Sequence, residues 1–319
     1  MVKIFYMIVW GAFIVLIIFF LALDLGVFNR HAHVIRTKEA SLWTILWVSV
    51  AFAFSGVIYW LFSNGMVENP TNLTPTNAVL KYITGYLIEL SLSIDNVFVI
   101  AVIFSNFSIP DKHQHRVLFW GILGAIIFRG LMIFFGVTLI NKFDWIIYVF
   151  GVFLLYTAYK MLMSHSSEFN PQNSFVYKGL RKVFPITHKM DGDKFFINRL
   201  GVRAATPLFI ALMVIELTDI LFALDSIPAI LAITTNPFIV FSSNILAILG
   251  LRSMYFLISR MLQKFRFINY SLVIILSFVG IKMLLSHNIV IPEWLSLLII
   301  AASLLGGIIA SLAIPSEDK

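Results

Sequence analysis

Residues 86–100 read Tyr-Leu-Ile-Glu-Leu-Ser-Leu-Ser-Ile-Asp-Asn-Val-Phe-Val-Ile, an apolar run that carries Glu89, Ser91, Ser93, Asp95 and Asn96. The run suits a membrane-spanning helix, yet a charged carboxylate at bilayer mid-depth costs roughly 2.5–3.5 kcal/mol on insertion scales. The pattern returns at 216–228, Glu-Leu-Thr-Asp-Ile-Leu-Phe-Ala-Leu-Asp-Ser-Ile-Pro, with Glu216, Asp219 and Asp225. Acids repeated in two apolar segments need cations or protons to hold them there.

The rest of the chain points to the same setting. Of its 319 residues 60% are hydrophobic and only 12% charged, and the mean hydropathy is +0.94. A soluble domain carries roughly 25% charged residues. Hydropathy predicts about nine spans, near 4–23, 41–62, 79–104, 116–140, 144–164, 205–233, 238–259, 267–286 and 292–313. The first run is too long for a signal-peptide core and lacks a small-x-small cleavage site, so it reads as a retained span. With no cysteine, disulfides, thiolate metal sites and cysteine nucleophiles are excluded.

Charge sorts the loops. Arg30, Arg36, Lys38, Lys112, Arg116, the basic residues of loop 165–204, Arg260, Lys264, Arg266 and Lys319 fall on one side, against Lys3, Lys81 and Lys142 on the other. Positive residues collect on the cytoplasmic face. The expectation is an N-terminus outside and a C-terminus inside, and the net charge of +7 reflects topology rather than nucleic-acid binding. Loop 165–204 reads as a basic cytoplasmic linker, too short to bury a core of its own.

An internal repeat connects the acidic segments. Glu89-x5-Asp95-Asn96 matches Asp219-x5-Asp225-Ser226, and Gly121-Ile-Leu-x5-Arg129 matches Asn244-Ile-Leu-x5-Arg252. Lys160-Met-Leu-Met-Ser-His165 returns as Lys282-Met-Leu-Leu-Ser-His287. The expected organisation is a two-span segment 1–78, a three-helix repeat 79–164, the loop 165–204, a second three-helix repeat 205–286 and a C-terminal span 287–319. Three spans are an odd number, so the second copy is expected to be inverted, with ligand sites near the midplane where broken helices meet. Pro228 removes a backbone donor beside the potential caps Asp225 and Ser226, which predicts a break there, and Asp95 with Asn96 predicts another. The fold class is thus an all-α transmembrane bundle with two inverted three-helix repeats.

The side chains suggest a hard-cation site. Glu216 and Asp219 share a helix face, whereas Glu89 and Asp95, or Asp219 and Asp225, point apart on an unbroken helix. The candidate metal ligands are Glu89, Asp95, Asn96, Glu216, Asp219, Asp225 and Ser226, with hydroxyls at Ser91, Ser93 and Thr218. All-oxygen surroundings suit Mn²⁺, Ca²⁺ or Mg²⁺. Arg129 and Arg252 are charge balancers, and their scaffold reading pairs them with Asp95 and Asp225. Lys160 and Lys282 read as snorkelling residues. Asp24 reads as a boundary residue, and His31, His33, His113, His115, His165 and His287 as non-ligands.

These motifs carry a resemblance. Glu89 to Asn96, Arg129 in Gly-Ile-Leu-Gly-Ala-Ile-Ile-Phe-Arg, residues 222–230 and 243–252, and Leu23-Asp-Leu25 with Glu39-Ala40 resemble the TerC family of bacterial membrane proteins. The match is closest to its long, nine-span branch, linked to manganese homeostasis and alkaline-pH response. The resemblance implies Mn²⁺ export across the cytoplasmic (inner) membrane, with Glu89, Asp95, Glu216, Asp219 and Asp225 as the acids involved. It also implies metal supply to exported enzymes in some relatives.

The expectation is a secondary transporter and not an enzyme, without a resident cofactor. Its partners are the lipid bilayer, a divalent metal substrate and protons as counter-ion; no nucleotide-binding loop is present. Two alternatives stay open. One is a non-transporting metal sensor or partner protein. The other is an intramembrane aspartyl protease using Asp95 and Asp225, against which the Gly-x-Gly-Asp sequence is missing.

Overall fold

The computed structural model describes residues 2–26, 37–143, 145–163, 192–199, 202–259, 267–285 and 291–313, with Gly179, Pro185 and Thr187 besides. Five helices come first: α1 (Val2–Gly26), α2 (Thr37–Ser63), α3 (Pro75–Asn106), α4 (Asp111–Lys142) and α5 (Ile146–Met163). An antiparallel hairpin, β1 (Phe196–Arg199) and β2 (Val202–Ala205), precedes α6 (Pro207–Leu231). Then follow α7 (Pro237–Leu249), α8 (Leu251–Ile258), α9 (Ile268–Leu285) and α10 (Glu293–Ala313). Among the described residues eight helices are long and apolar enough to cross a membrane, and α7 with α8, bent by 42°, makes a ninth. The architecture is the expected all-α bundle.

Three helices start where an acceptor side chain is followed by proline. Thr74 precedes Pro75 and accepts from the Asn77 amide (3.3 Å); Asn236 precedes Pro237 and accepts from the Ile239 amide (3.2 Å). A proline at the first helical position costs no hydrogen bond, because its missing N–H has no helical partner there. Thr206 before Pro207 differs. It donates its hydroxyl proton to the Lys194 and Phe195 carbonyls, which ties the hairpin to the start of α6. Arg116 on α4 holds the same segment, pairing with Asp193 (2.5 Å) and lying 4.9 Å over the Phe195 ring.

Packing follows small residues. α5 lies along α9, and a Cβ on Gly151 would come 3.1 Å from the Gly280 carbonyl, while one on Gly280 would come 3.0 Å from the Gly151 carbonyl. Without a hydrophobic drive inside lipid, such close backbone approach supplies the dispersion contact that holds helices together. Outward-facing Met7, Val15, Leu42, Phe134, Tyr159 and Ile309 are exposed, as hydrocarbon contact requires.

The expected midplane breaks are not there. Both acidic segments lie in unbroken helices, α3 and α6. Pro228 sits in the last turn of α6, where it deprives the Leu224 carbonyl of its helical donor, yet the helix runs three residues past it and its own carbonyl accepts from Ala232 (3.0 Å). The bend falls instead at Gly250, between α7 and α8. Most of loop 165–204, together with Asp24, His31, His33, His165 and His287, lies outside the residues or side chains described.

Candidate functional site

The polar centre is where α3, α4, α6 and α7 meet. Arg129 on α4 is 1% exposed. Its Nε donates to Asp219 Oδ2 (3.0 Å) and its Nη2 to Asp219 Oδ1 (2.6 Å), a two-pronged contact that matches the planar guanidinium to the carboxylate. Its Nη1 donates to Glu89 Oε1. Glu89 is fully buried, and its other oxygen accepts from Asn244 Nδ2 on α7 (2.8 Å). The hydrogen-bond pattern favours the Asn96 amide orientation in which its oxygen accepts from Arg129 Nη2 (3.2 Å) and its nitrogen donates to the Leu92 carbonyl (3.3 Å). Turned over, the same amide donates to Asp219 Oδ1 (3.3 Å).

Arg129 pairs with Glu89 and Asp219, because three packed helices aim these groups at one point; the expected partner Asp95 has its side chain outside the described ones. Arg252, 4% exposed on α8, lines a cavity that Asp219 also borders. The Asp95 side chain lies outside the description, although its backbone belongs to α3.

The remaining acids take different places. Glu216, one turn before Asp219 on α6, rests against α4 at Gly124, where an added Cβ would occupy the carboxylate's position. Its Oε2 is buried without a hydrogen-bond partner. Asp225 is half-buried and accepts from Thr157 on α5 (3.0 Å). Ser226, 1% exposed, leaves its hydroxyl oxygen unpartnered. The hydroxyls of Ser91 and Thr218 donate to the Leu87 and Val214 carbonyls of their own helices (2.6 Å each). Ser93 reaches Glu89 at 3.4 Å.

Two cavities flank the cluster. One of about 240 Å³ is bordered by Glu89, Arg129, Thr157, Lys160, Asp225 and Ser226. The other, about 20 Å³ and large enough for a water, is bordered by Gly121, Thr218, Asp219, Leu251 and Arg252. Asn96 and Phe222 border both and divide them. Among the described residues no three acidic or histidine side chains converge closely enough to hold a metal ion. In this arrangement the guanidinium occupies the space between Glu89 and Asp219.

Lys282 is more tied than a snorkelling residue need be: half-buried, it bonds Ser296 (2.9 Å) and pairs with Glu293 (3.4 Å), which also takes Lys81 (2.7 Å). The first turn of α10 brings that carboxylate inward. Sequence reasoning also missed Thr157, Asn244 and Gly124. A polar Asn244 inside an apolar run was a readable signal. Gly124 carried none, since only Glu216 on another helix requires its missing side chain.

The sequence pattern of the TerC integral membrane protein family matches residues 74–319. The chain belongs to the TerC family. It is 48% identical over 303 residues to an uncharacterized membrane protein of Myxococcus xanthus, covering 95% of this chain and 91% of that one. It is 44% identical over 289 residues to Alx of Escherichia coli K12, provisionally described as a membrane-bound redox modulator, covering 90% and 89%. A membrane protein of Rickettsia bellii is 42% identical over 302 residues, covering 95% and 96%. No solved structure matches significantly. The match starts at residue 74, one position before α3. The acids and arginine of the polar centre thus lie inside the TerC region, while α1 and α2 lie before it.

Proposed function

We propose that this TerC protein is a secondary transporter, not an enzyme, that exports divalent metal ions across the bacterial cytoplasmic membrane. Mn²⁺ is the leading substrate and Ca²⁺ the second, with protons as counter-ion and no resident cofactor. The observation that carries the reading is the buried Glu89–Arg129–Asp219 group with a cavity on either side of it. Ionised groups at membrane depth are costly and are kept where ions or protons pass. The candidate ligands are Glu89, Asp95, Asn96, Glu216, Asp219, Asp225 and Ser226, an all-oxygen set suited to hard cations. The orphaned Glu216 Oε2 and Ser226 Oγ fit acceptors awaiting a cation.

The crossing of α5 and α9 at Gly151 and Gly280 supports reading them as the third helices of two inverted repeats. Basic loops on the inner side would set the N-terminus outside and the C-terminus in the cytoplasm. The name of the E. coli relative favours a second reading, a membrane partner that modulates redox state. This chain has no cysteine, so thiol exchange by its own side chains is not available.

The test is cellular Mn content and Mn tolerance in bacteria lacking their manganese exporters, at matched membrane expression. Wild type should lower Mn and restore growth, and the Asp95→Asn, Asp225→Asn double variant should not. Unchanged Mn with both would favour another ion or the partner reading.

A further inference from the structure

The position of Arg129 raises a question that the transport reading leaves open. A divalent cation bound by Glu89 and Asp219 would need the oxygens that the guanidinium now fills. Arginine does not surrender its proton in a protein, so it cannot become neutral and stay in place. Two cations packed against one pair of buried carboxylates would repel each other strongly, because low local polarity strengthens like-charge repulsion. Without any cation, the same carboxylates would be desolvated and unpaired, which is equally unfavourable.

We infer that Arg129 is a tethered counter-ion that exchanges with the transported cation. It offsets one of the two charges on Glu89 and Asp219 when the carrier is empty and withdraws from them when the metal binds. The inference rests on the transport reading and assigns the arginine a moving part in it. Two observations give the guanidinium room to move. Arg129 borders the cavity of about 240 Å³, so space adjoins it. Asn244, fully buried, uses its nitrogen on Glu89 and leaves Oδ1 unpartnered beside that carboxylate, an acceptor for a displaced guanidinium. At this pair no bond is made or broken covalently; one cation replaces another on the same oxygens, and the counter-ion protons are left to the other carboxylates of the site. The empty carrier can then reorient without bare carboxylates in the membrane interior.

The test separates two modes of transport in proteoliposomes loaded with Mn²⁺. Net efflux into Mn²⁺-free medium requires the empty carrier to return, whereas exchange with Mn²⁺ on both sides does not. Arg129→Gln should lose net efflux at least about tenfold more than it loses exchange, as expected if the empty state is the one that needs the fixed positive charge. Arg129→Lys keeps the charge without the fork. It should retain more net efflux than Arg129→Gln and show a lower KM for Mn²⁺, because a single ammonium competes less well. If Arg129→Gln does not accumulate in membranes, the KM and the ratio of the two modes in Arg129→Lys decide the matter.

Parallel loss of both modes with a raised KM would make Arg129 a fixed scaffold and overturn the inference, as would unchanged net efflux. Absence of Mn²⁺ movement by the wild type in either mode would overturn the transport reading itself.

Discussion

The two acidic segments share a pattern and differ in surroundings. Glu89 on α3 and Asp219 on α6 occupy matching places in the sequence pattern, and both turn to one arginine. Asp225, six residues beyond Asp219, faces a cavity and has one bond, from Thr157. Arg252, aligned with Arg129 in the sequence pattern, borders the smaller cavity. Acids in similar sequence settings thus end in unlike places: Glu89 and Asp219 hold a guanidinium from α4, while Asp225 faces a cavity and a hydroxyl of α5.

The largest expected effect comes from emptying that slot with an apolar side chain. Arg129→Leu leaves two buried carboxylates without a partner and should cost about 3–5 kcal/mol, the range for breaking a buried ion pair from one side. Thermal unfolding in detergent measures it, and a wild-type melting temperature would mean that the acids are held by something else.

Neutralising the aspartates should separate the two halves of the comparison. Asp219→Asn loses a charge-assisted fork and should destabilise by about 1.5–3 kcal/mol, whereas Asp225→Asn, beside a cavity and with one hydroxyl partner, should stay within about 1 kcal/mol of wild type. Both should lose Mn²⁺ transport. Equal stability losses would show that burial of the two carboxylates differs less than the structure indicates.

Gly124→Ala is milder. The new methyl group meets the Glu216 carboxylate, which must turn away, with an overpacking cost of about 1–3 kcal/mol. Suppression of that cost by Glu216→Ala in the same chain would confirm the contact; no suppression would point to the helix backbone instead.

The smallest effect is at the loop. Slight burial favours the neutral form of Asp193, but the adjacent Arg116 guanidinium outweighs it and holds the carboxyl below its usual range. The contact is therefore present at neutral pH and is lost as pH falls through that lowered value. Asp193→Asn should cost no more than about 1 kcal/mol, as exposed pairs do, and should abolish this acid sensitivity of hairpin protection in hydrogen exchange.

Spans were legible because their causes are local. Apolar run length and the exclusion of thiol chemistry can be read without knowing what packs where; the Thr-Pro and Asn-Pro starts are equally local but went unread. The candidate acids were legible for a related reason, since charge within a membrane run is costly wherever it finally points. Their partners were not. The contacts of Arg129 with Glu89 and Asp219 follow from the faces that α3, α4 and α6 present to one another, which no position within a sequence repeat reveals.

The broken helices show the same boundary from the other side. Pro228 is a helix breaker in sequence, but it lies three residues before the end of α6 and so marks the helix terminus rather than a midplane break. The bend at Gly250 depends on how α7 and α8 meet their neighbours. The sequence by itself determined that this is a many-span helical protein of the TerC type with acids at membrane depth, because transfer costs and backbone preferences act residue by residue. Only the tertiary structure decided which acids share a cation, where the cavities lie and which glycine makes room for Glu216. Those depend on contacts between residues tens to more than a hundred positions apart, and helix faces acquire neighbours only when the bundle packs.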